Sequence, residues 1–311
     1  MHGVLIVDKP AGPTSHDVVA RVRRAVGISR IGHTGTLDPL ATGVLALVIG
    51  RATRLAQFLS SDEKEYVAGV RLGWATATYD AEERTARGDR GEMIVLPPQQ
   101  PAPEVGEADL RAALTDFVGS YAQLPPPFSA KKIGGTPAYL LARLQKDVAL
   151  KPADVTVKAL ELVALHDGLA TLRIVSSSGF YVRSLAHDLG RRLGCGAHLE
   201  SLRRTRTGDF TAAEATPLDV IQAEGLEALA RLVPLPSLLS KLPRVVVNQR
   251  GAKRAAHGNA LATDDLSESG AAALAAAPPD GPIRVIDADG ALLAIGERGR
   301  GGLLQPVVVL V

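Results

Sequence analysis

Residues 32–43 read GHTGTLDPLATG, and the apolar run Val44-Leu45-Ala46-Leu47-Val48-Ile49 follows at once. The twelve positions hold three glycines, three threonines, one histidine, one proline and a single acid, Asp38. Glycines permit tight backbone and Pro39 removes freedom, so the segment reads as a stiff loop in front of a buried strand. Aspartate before proline is biased to extended or turn geometry, and its side chain can cap the local backbone. Asp38 can therefore be a turn former, a metal ligand or a nucleophile, and the loop by itself leaves all three open.

Working outward, GVLIV (3–7) predicts a buried strand and TSHDVVARVRRAVG (14–27) a helix. Thr14 or Ser15 can cap that helix, Val18, Val22, Ala25 and Val26 form its stripe, and Gly27 can end it. A helix is expected from Arg51 to Leu59, a strand over Tyr66–Leu72, and a helix over Ala108–Phe117 after the proline-rich connection PPQQPAPEVGE (97–107). Val155–His166 and Ala170–Ser176 read as strands around a His166-Asp167-Gly168 turn. SSSGFYVRSLAHDLGRRLG (176–194) reads as a strand end, a turn and an amphipathic helix with Leu185, Leu189 and Leu193 at four-residue spacing. Three prolines in LVPLPSLLSKLPR suggest a boundary, dividing the chain into residues 1–240 and 241–311. The second part is short on helix signal and has strand-like runs at Ile283–Ile286 and Val307–Val311, with a low-complexity loop or short helix at 267–281. Elements alternate irregularly, with hairpins, which indicates an α+β domain with a mixed, largely antiparallel sheet and flanking helices.

A chain of 311 residues with 46% hydrophobic content can bury a sizeable core, built from Ala, Val and Leu because aromatics are only 4%. The lone cysteine, Cys195, cannot form an internal disulfide. The N-terminal apolar run is too short for a signal h-region or a membrane span, so a soluble cytoplasmic protein is expected. Net charge is only +2, but residues 1–60 hold seven Lys/Arg against three acids, and residues 183–206 hold six arginines against two. A polyanion would prefer a surface made from 21–30 and 203–206; a solvated face laced with salt bridges is the equal alternative. A P-loop, a dinucleotide fingerprint, a C-x-x-C pair, an H-E-x-x-H helix and a G-x-S-x-G elbow are all missing, so a cofactor-free and metal-free reaction is the default.

GHTGTLDPLATGVL closely resembles the signature of the TruB-type tRNA pseudouridine synthases. Four more segments resemble that family in the same order: VDKPAGPTSHDVV (7–19), KEYVAGVRLGWAT (64–76), PPPFSAKKIGGTPAY (125–139) and GFYVRSLAHDLGRRLGCGAHLESLRRTRTGDF (179–210). Residues from about 244 are similar, more weakly, to the family's small β-rich PUA RNA-binding domain, with HGNAL (257–261) the clearest match. The resemblance implies isomerisation of uridine 55 in the T-loop of tRNA, without cofactor or metal, by a stand-alone cytoplasmic enzyme that needs no guide RNA and is expected to be a monomer.

The resemblance also assigns roles. Asp38 falls on the catalytic aspartate, Tyr66 on the tyrosine that stacks on the uracil, and Arg183 on the arginine that pairs with the aspartate. Tyr181 and Leu202 match residues beside the bound nucleotide. His33 matches a histidine against displaced loop nucleotides. Lys9 and Lys132 match positions near the site or the RNA and are candidate phosphate contacts. A flipped base needs a face to lie on, and a carboxylate shut away from water needs a cation, so these roles are physically coherent. The chain departs from the pattern at Phe128, where many members have Tyr, and at Ala77 and Tyr79 in TATYDAEER, which replace common acids. A non-catalytic tRNA binder or folding chaperone on the same fold is the alternative. A glycosidase would need a second carboxylate across the scissile bond, and this loop has one.

Overall fold

The computed structural model describes residues 1–87, 93–95, 104–128, 132–133, 136–137 and 150–311, without the side chains of 83–87, 93–95, 132–133, 136–137 and 300. Much of the PPQQPAPEVGE connection (97–107) and of the PPPFSAKKIGGTPAY segment (125–139) falls outside these residues.

The two apolar runs that frame the loop become adjacent antiparallel strands, Gly3–Lys9 and Thr42–Ile49, paired from Gly3↔Ile49 to Lys9↔Gly43. Their hydrophobicity is continuous because both faces are covered. Leu5, Val7, Leu45, Leu47 and Ile49 enter one core, while Val4, Ile6, Val44, Ala46 and Val48 enter another on the opposite side.

The large mixed sheet runs in the order Thr216–Pro217, Gly3–Lys9, Thr42–Ile49, Ala197–Thr207, Lys64–Leu72, Leu169–Ser176, Ala153–His166 and Gly119–Gln123. Neighbours are antiparallel except at Gly3–Lys9 with Thr216–Pro217 and at Thr42–Ile49 with Ala197–Thr207. The His166–Gly168 turn is a two-residue hairpin connection in which Asp167 and Gly168 both have positive φ, 49° and 71°, the left-handed conformation that such turns require.

One face is covered by the helices Ser15–Val26, Glu107–Thr115, Val182–Arg192 and Leu218–Glu224, whose apolar residues join the first core. Ser15–Val26 carries the expected stripe, is capped by Thr14 in a capping box with Asp17, and ends at the left-handed Gly27. The expected helix at 51–59 is a tighter 3-10 turn over Gly50–Leu55 that passes into Ala56–Ser60.

A separate four-stranded sheet, Arg244–Val246, Ile283–Ile286, Leu292–Arg298 and Leu304–Val309, packs Ile286, Leu292, Ile295 and Leu310 into the second core. This part holds one helix that its sequence does not suggest, Gln249–Ala256, and the 267–281 stretch forms the short helix Glu268–Ala276. Each makes its tightest contact through a glycine, Gly251 in the first and Gly270 in the second. A Cβ on Gly251 would lie 2.0 Å from the Asp265 carbonyl oxygen, so the usual leucine periodicity is missing.

Candidate active site

Asp38 lies in the loop between the strands Ile31–His33 and Thr42–Ile49, and that loop is pinned from four sides. Lys9 Nζ donates to the carbonyls of Pro39 and Ala41 at 3.2 and 2.6 Å. Gly12 N donates to Pro39 O at 2.8 Å. Ser15 Oγ accepts from Leu37 N at 2.8 Å and donates to Leu37 O at 3.0 Å. Arg204, buried beneath, donates to the carbonyls of Gly35, Thr36 and Val44. Gly43 must be glycine here: its φ is +97°, and a Cβ would come within 2.2 Å of the Arg204 carbonyl oxygen.

The Asp38 carboxylate stands at a pocket of about 370 Å³ that Tyr66, Tyr181, Arg183 and Leu202 also line. Arg183, from the first turn of Val182–Arg192, reaches back to Asp38. Its Nη2 donates to Oδ1 at 3.1 Å. Its Nε lies 2.8 Å from Oδ2 as a charge contact off the N–H line. The guanidinium is nearly buried at 6% exposure whereas the Asp38 side chain keeps 33%, so the pair is anchored on the arginine side and open on the carboxylate side. Arg183 also donates to the carbonyls of Thr78 and Phe128 and lies 3.4 Å from Asp80 Oδ2. Phe128 thus joins the site through its carbonyl, which any residue would supply.

Asp80 was not legible as a site residue. It is buried, accepts from Thr78 Oγ1 at 2.7 Å and from Glu82 N at 3.1 Å, and burial pushes its carboxyl above the ordinary value. The signal lay in TATYDAEER, where the aspartate is kept although the preceding acids are replaced.

Tyr66 and Leu202 come from neighbouring strands, registered Arg204↔Tyr66 and Leu202↔Ala68, with their side chains on the pocket face. Tyr66 is nearly buried; burial raises its phenol above the ordinary value while the Arg204 contact opposes this. Lys64, two residues before Tyr66 and on the same face, also lines the pocket. Burial, and then the charge of Arg204, lowers its ammonium to about 8, and it donates to the carbonyls of Ser60 and Asp62.

Three expectations fare differently. Lys9 is fully buried, with its ammonium donating to loop carbonyls, so it clamps the Asp38 loop from within the fold. His33 ends its strand half-buried and edge-on to His16, at 5.5 Å between ring centroids, outside the Asp38 pocket. Burial, and then the charge of His16, lowers its imidazole. Lys132 lies in the short strand Lys132–Ile133, and its side chain is outside the described residues.

Of the two readings of residues 203–206, the structure favours the face laced with salt bridges. A bulge between Arg204 and Arg206 sends Arg206 to the same face as Arg203. There Arg203 makes a two-bond pair with Asp8, and Arg206 pairs with Glu63 and Glu65. Arg204 is internal. These arginines neutralise carboxylates and carbonyls of the fold. Among the described residues, no three His, Cys, Asp or Glu side chains gather as a metal site, and no helix is long and apolar enough to cross a membrane.

Comparison with known families gives two contiguous matches. Residues 23–182 match the TruB family pseudouridylate synthase N-terminal domain, and residues 183–239 match the tRNA pseudouridylate synthase B C-terminal domain. The tRNA pseudouridine synthase B of Solibacter usitatus (strain Ellin6076) is 42% identical over all of both chains. That of Thermobifida fusca (strain YX) is 42% identical over 99% of this chain and 98% of its own. Among solved structures, the archaeal box H/ACA sRNP Nop10–Cbf5 complex contains a chain that superposes with a TM-score of 0.71. It is 25% identical, over 99% of this chain and 86% of that one.

Proposed function

This chain belongs to the TruB family of pseudouridylate synthases, and from that premise we propose that it isomerises uridine 55 in the T-loop of tRNA with Asp38 as the catalytic carboxylate. The chain is an isomerase of tRNA uridine; the position, the residue and the route into the site are our reading. The observation that carries it is the Asp38–Arg183 pair, in which a buried arginine holds a carboxylate whose other side is open to a pocket.

The reaction neither adds nor removes atoms. The N1–C1′ bond breaks, the uracil turns while bound, C5 bonds to C1′, C5 gives up its proton and N1 takes one. No redox partner is therefore required. Asp38 acts by attack on C1′ or C6, or by assisting a glycal intermediate. A side chain can reach the ribose only if the nucleotide leaves the stack, which costs a few kcal/mol. Tyr66 and Leu202 give the flipped base a face to lie on, and Tyr181 borders it. The Tyr66 phenol, kept protonated by burial, can exchange the late proton. His33 fills the vacated stack beside the pocket, and residues 241–311 act as a PUA-like RNA-binding module. The enzyme works as a monomer on tRNA alone, in the cytoplasm.

The test is wild type against Asp38→Asn on an unmodified tRNA transcript, with pseudouridine mapped by chemical labelling and primer extension and binding measured in parallel. Modification of one T-loop uridine by wild type only, with the variant still binding, is expected. Binding by both with modification by neither would favour a non-catalytic tRNA-folding role.

A further inference from the structure

Tyr79 occupies a place in the backbone that a tyrosine rarely takes. Its φ is 64°, in the left-handed region that favours glycine or asparagine, so the surroundings must hold it there. Two backbone hydrogen bonds do so in part: Tyr79 N donates to Thr76 O at 3.3 Å, and Tyr79 O accepts from Leu199 N at 3.0 Å. The side chain does the rest. The Tyr79 ring lies on the His187 ring at 3.8 Å between centroids and 12° between planes.

The two partners of this stack flank the reacting pair. His187 is four residues after Arg183 in the helix Val182–Arg192, hence one turn along on the same side. Tyr79 sits between Thr78, whose carbonyl accepts from Arg183 Nη1 at 3.3 Å, and Asp80, whose Oδ2 is 3.4 Å from the same nitrogen. The turn at 76–80 therefore meets the helix at two successive levels, by charge at Arg183 and by ring stacking at His187. Tyr79 does not line the Asp38 pocket, so any effect it has on the reaction passes through these neighbours.

We propose that Tyr79 is a positioning residue whose ring, stacked on His187, braces the 76–80 turn against the helix and so sets the Asp80–Arg183–Asp38 geometry. Asp80 and the Thr78 carbonyl fix one side of the Arg183 guanidinium. Without the brace the turn can draw back and the guanidinium can rotate away from Asp38. A shift of about 1 Å at such a contact can cost about a hundredfold in rate. The ring, and not the phenol hydroxyl, carries the function.

The experiment uses the full-length protein and an unmodified tRNA transcript, with kcat and KM measured separately. Tyr79→Ala is expected to lower kcat by about tenfold to a hundredfold while KM stays within about twofold. Tyr79→Phe restores kcat to near wild type. In an Asp80→Asn background, Tyr79→Ala costs clearly less than it does in wild type, because only the Thr78 carbonyl is left for the brace to place. Multiplying effects in the double variant, or a Phe variant as slow as the Ala variant, would overturn the inference. If Tyr79→Ala does not fold, His187→Ala removes the same stack from the helix side and carries the same expectations. The inference rests on Asp38 and Arg183 as the reacting pair, so Asp38→Asn runs alongside. An active Asp38→Asn removes that reading; an inactive one beside a Tyr79→Ala of wild-type rate removes only the brace.

Discussion

Lys9 Nζ donates to the Ala41 carbonyl at 2.6 Å, across 32 residues of chain. The bond fastens the end of the first strand to the loop that carries Asp38, and further bonds to Pro10 and Pro39 complete the clamp. Burial is the main reason the ammonium is lowered to about 8, with the charge of Asp38 opposing it. Lys9→Met leaves those carbonyls short of a charged donor and should cost about 2–4 kcal/mol at pH 7. The pH dependence has a definite sign. A base lowered in the fold adds stability that is present above its unfolded value near 10.5 and lost as pH falls through about 8. The gap between wild type and Lys9→Met should therefore widen from pH 8 to pH 10. Denaturant unfolding at both ends of that range checks this, and a constant gap would count against it.

Arg183→Lys keeps the charge but loses the planar fork that spans Asp38, Asp80 and the carbonyls of Thr78 and Phe128. Turnover should fall by at least about a hundredfold with the thermal transition nearly unchanged. Wild-type turnover would take Arg183 out of the mechanism.

Asp80→Asn should slow the reaction without weakening the fold. Burial raises the Asp80 carboxyl, so its contribution is fully favourable only below its unfolded value near 3.8 and is lost as pH rises through the folded value. At pH 7 the buried ionised group is a net cost, and the amide avoids it. The variant should melt at or above the wild-type temperature at pH 7, with that margin shrinking as pH falls towards 4. A lower melting temperature at pH 7 would show that the Arg183 contact outweighs burial.

Tyr66→Phe keeps a ring for the base and removes the phenol. Binding of tRNA should persist while turnover falls by about a hundredfold or more, the usual contribution of a positioned proton-transfer group. Turnover near wild type would leave Tyr66 with stacking alone.

Binding of tRNA should weaken with salt as counterions are released, and the slope should report which arginines touch phosphate. Arg21 and Arg24 are exposed on the helix Ser15–Val26, whereas Arg203 and Arg206 are paired with Asp8, Glu63 and Glu65. Replacing Arg21 or Arg24 by Ala should reduce the slope by about 1 each. The same change at Arg203 or Arg206 should leave it unaltered. Filter binding across a salt series measures both.

Local chemistry made the sequence legible where it acts over a few residues. Thr14, Asp17 and Gly27 bound the first helix, Asp167-Gly168 makes the hairpin, and uninterrupted apolar runs mark the strands buried on both faces. The loop around Asp38, with Tyr66 and Arg183 far along the chain, was legible through its resemblance to a family, and the pocket does gather Asp38, Tyr66, Tyr181, Arg183 and Leu202. The surroundings of Lys9 and of the arginines at 203–206 were not legible, because a basic side chain looks alike in sequence whether it meets water, a carboxylate or a row of carbonyls. Only strand register and one bulge decide that Arg204 turns inward while Arg203 and Arg206 turn outward. The partner of Asp80 became visible only when a turn and a helix more than a hundred residues apart met at Arg183. The sequence by itself determined the elements, the family and the loop that presents Asp38, because caps, turns and side-chain periodicity are local. The tertiary structure alone decided which charges are spent inside the fold and which face the pocket, because burial and partner choice depend on groups that the chain brings together only when it closes.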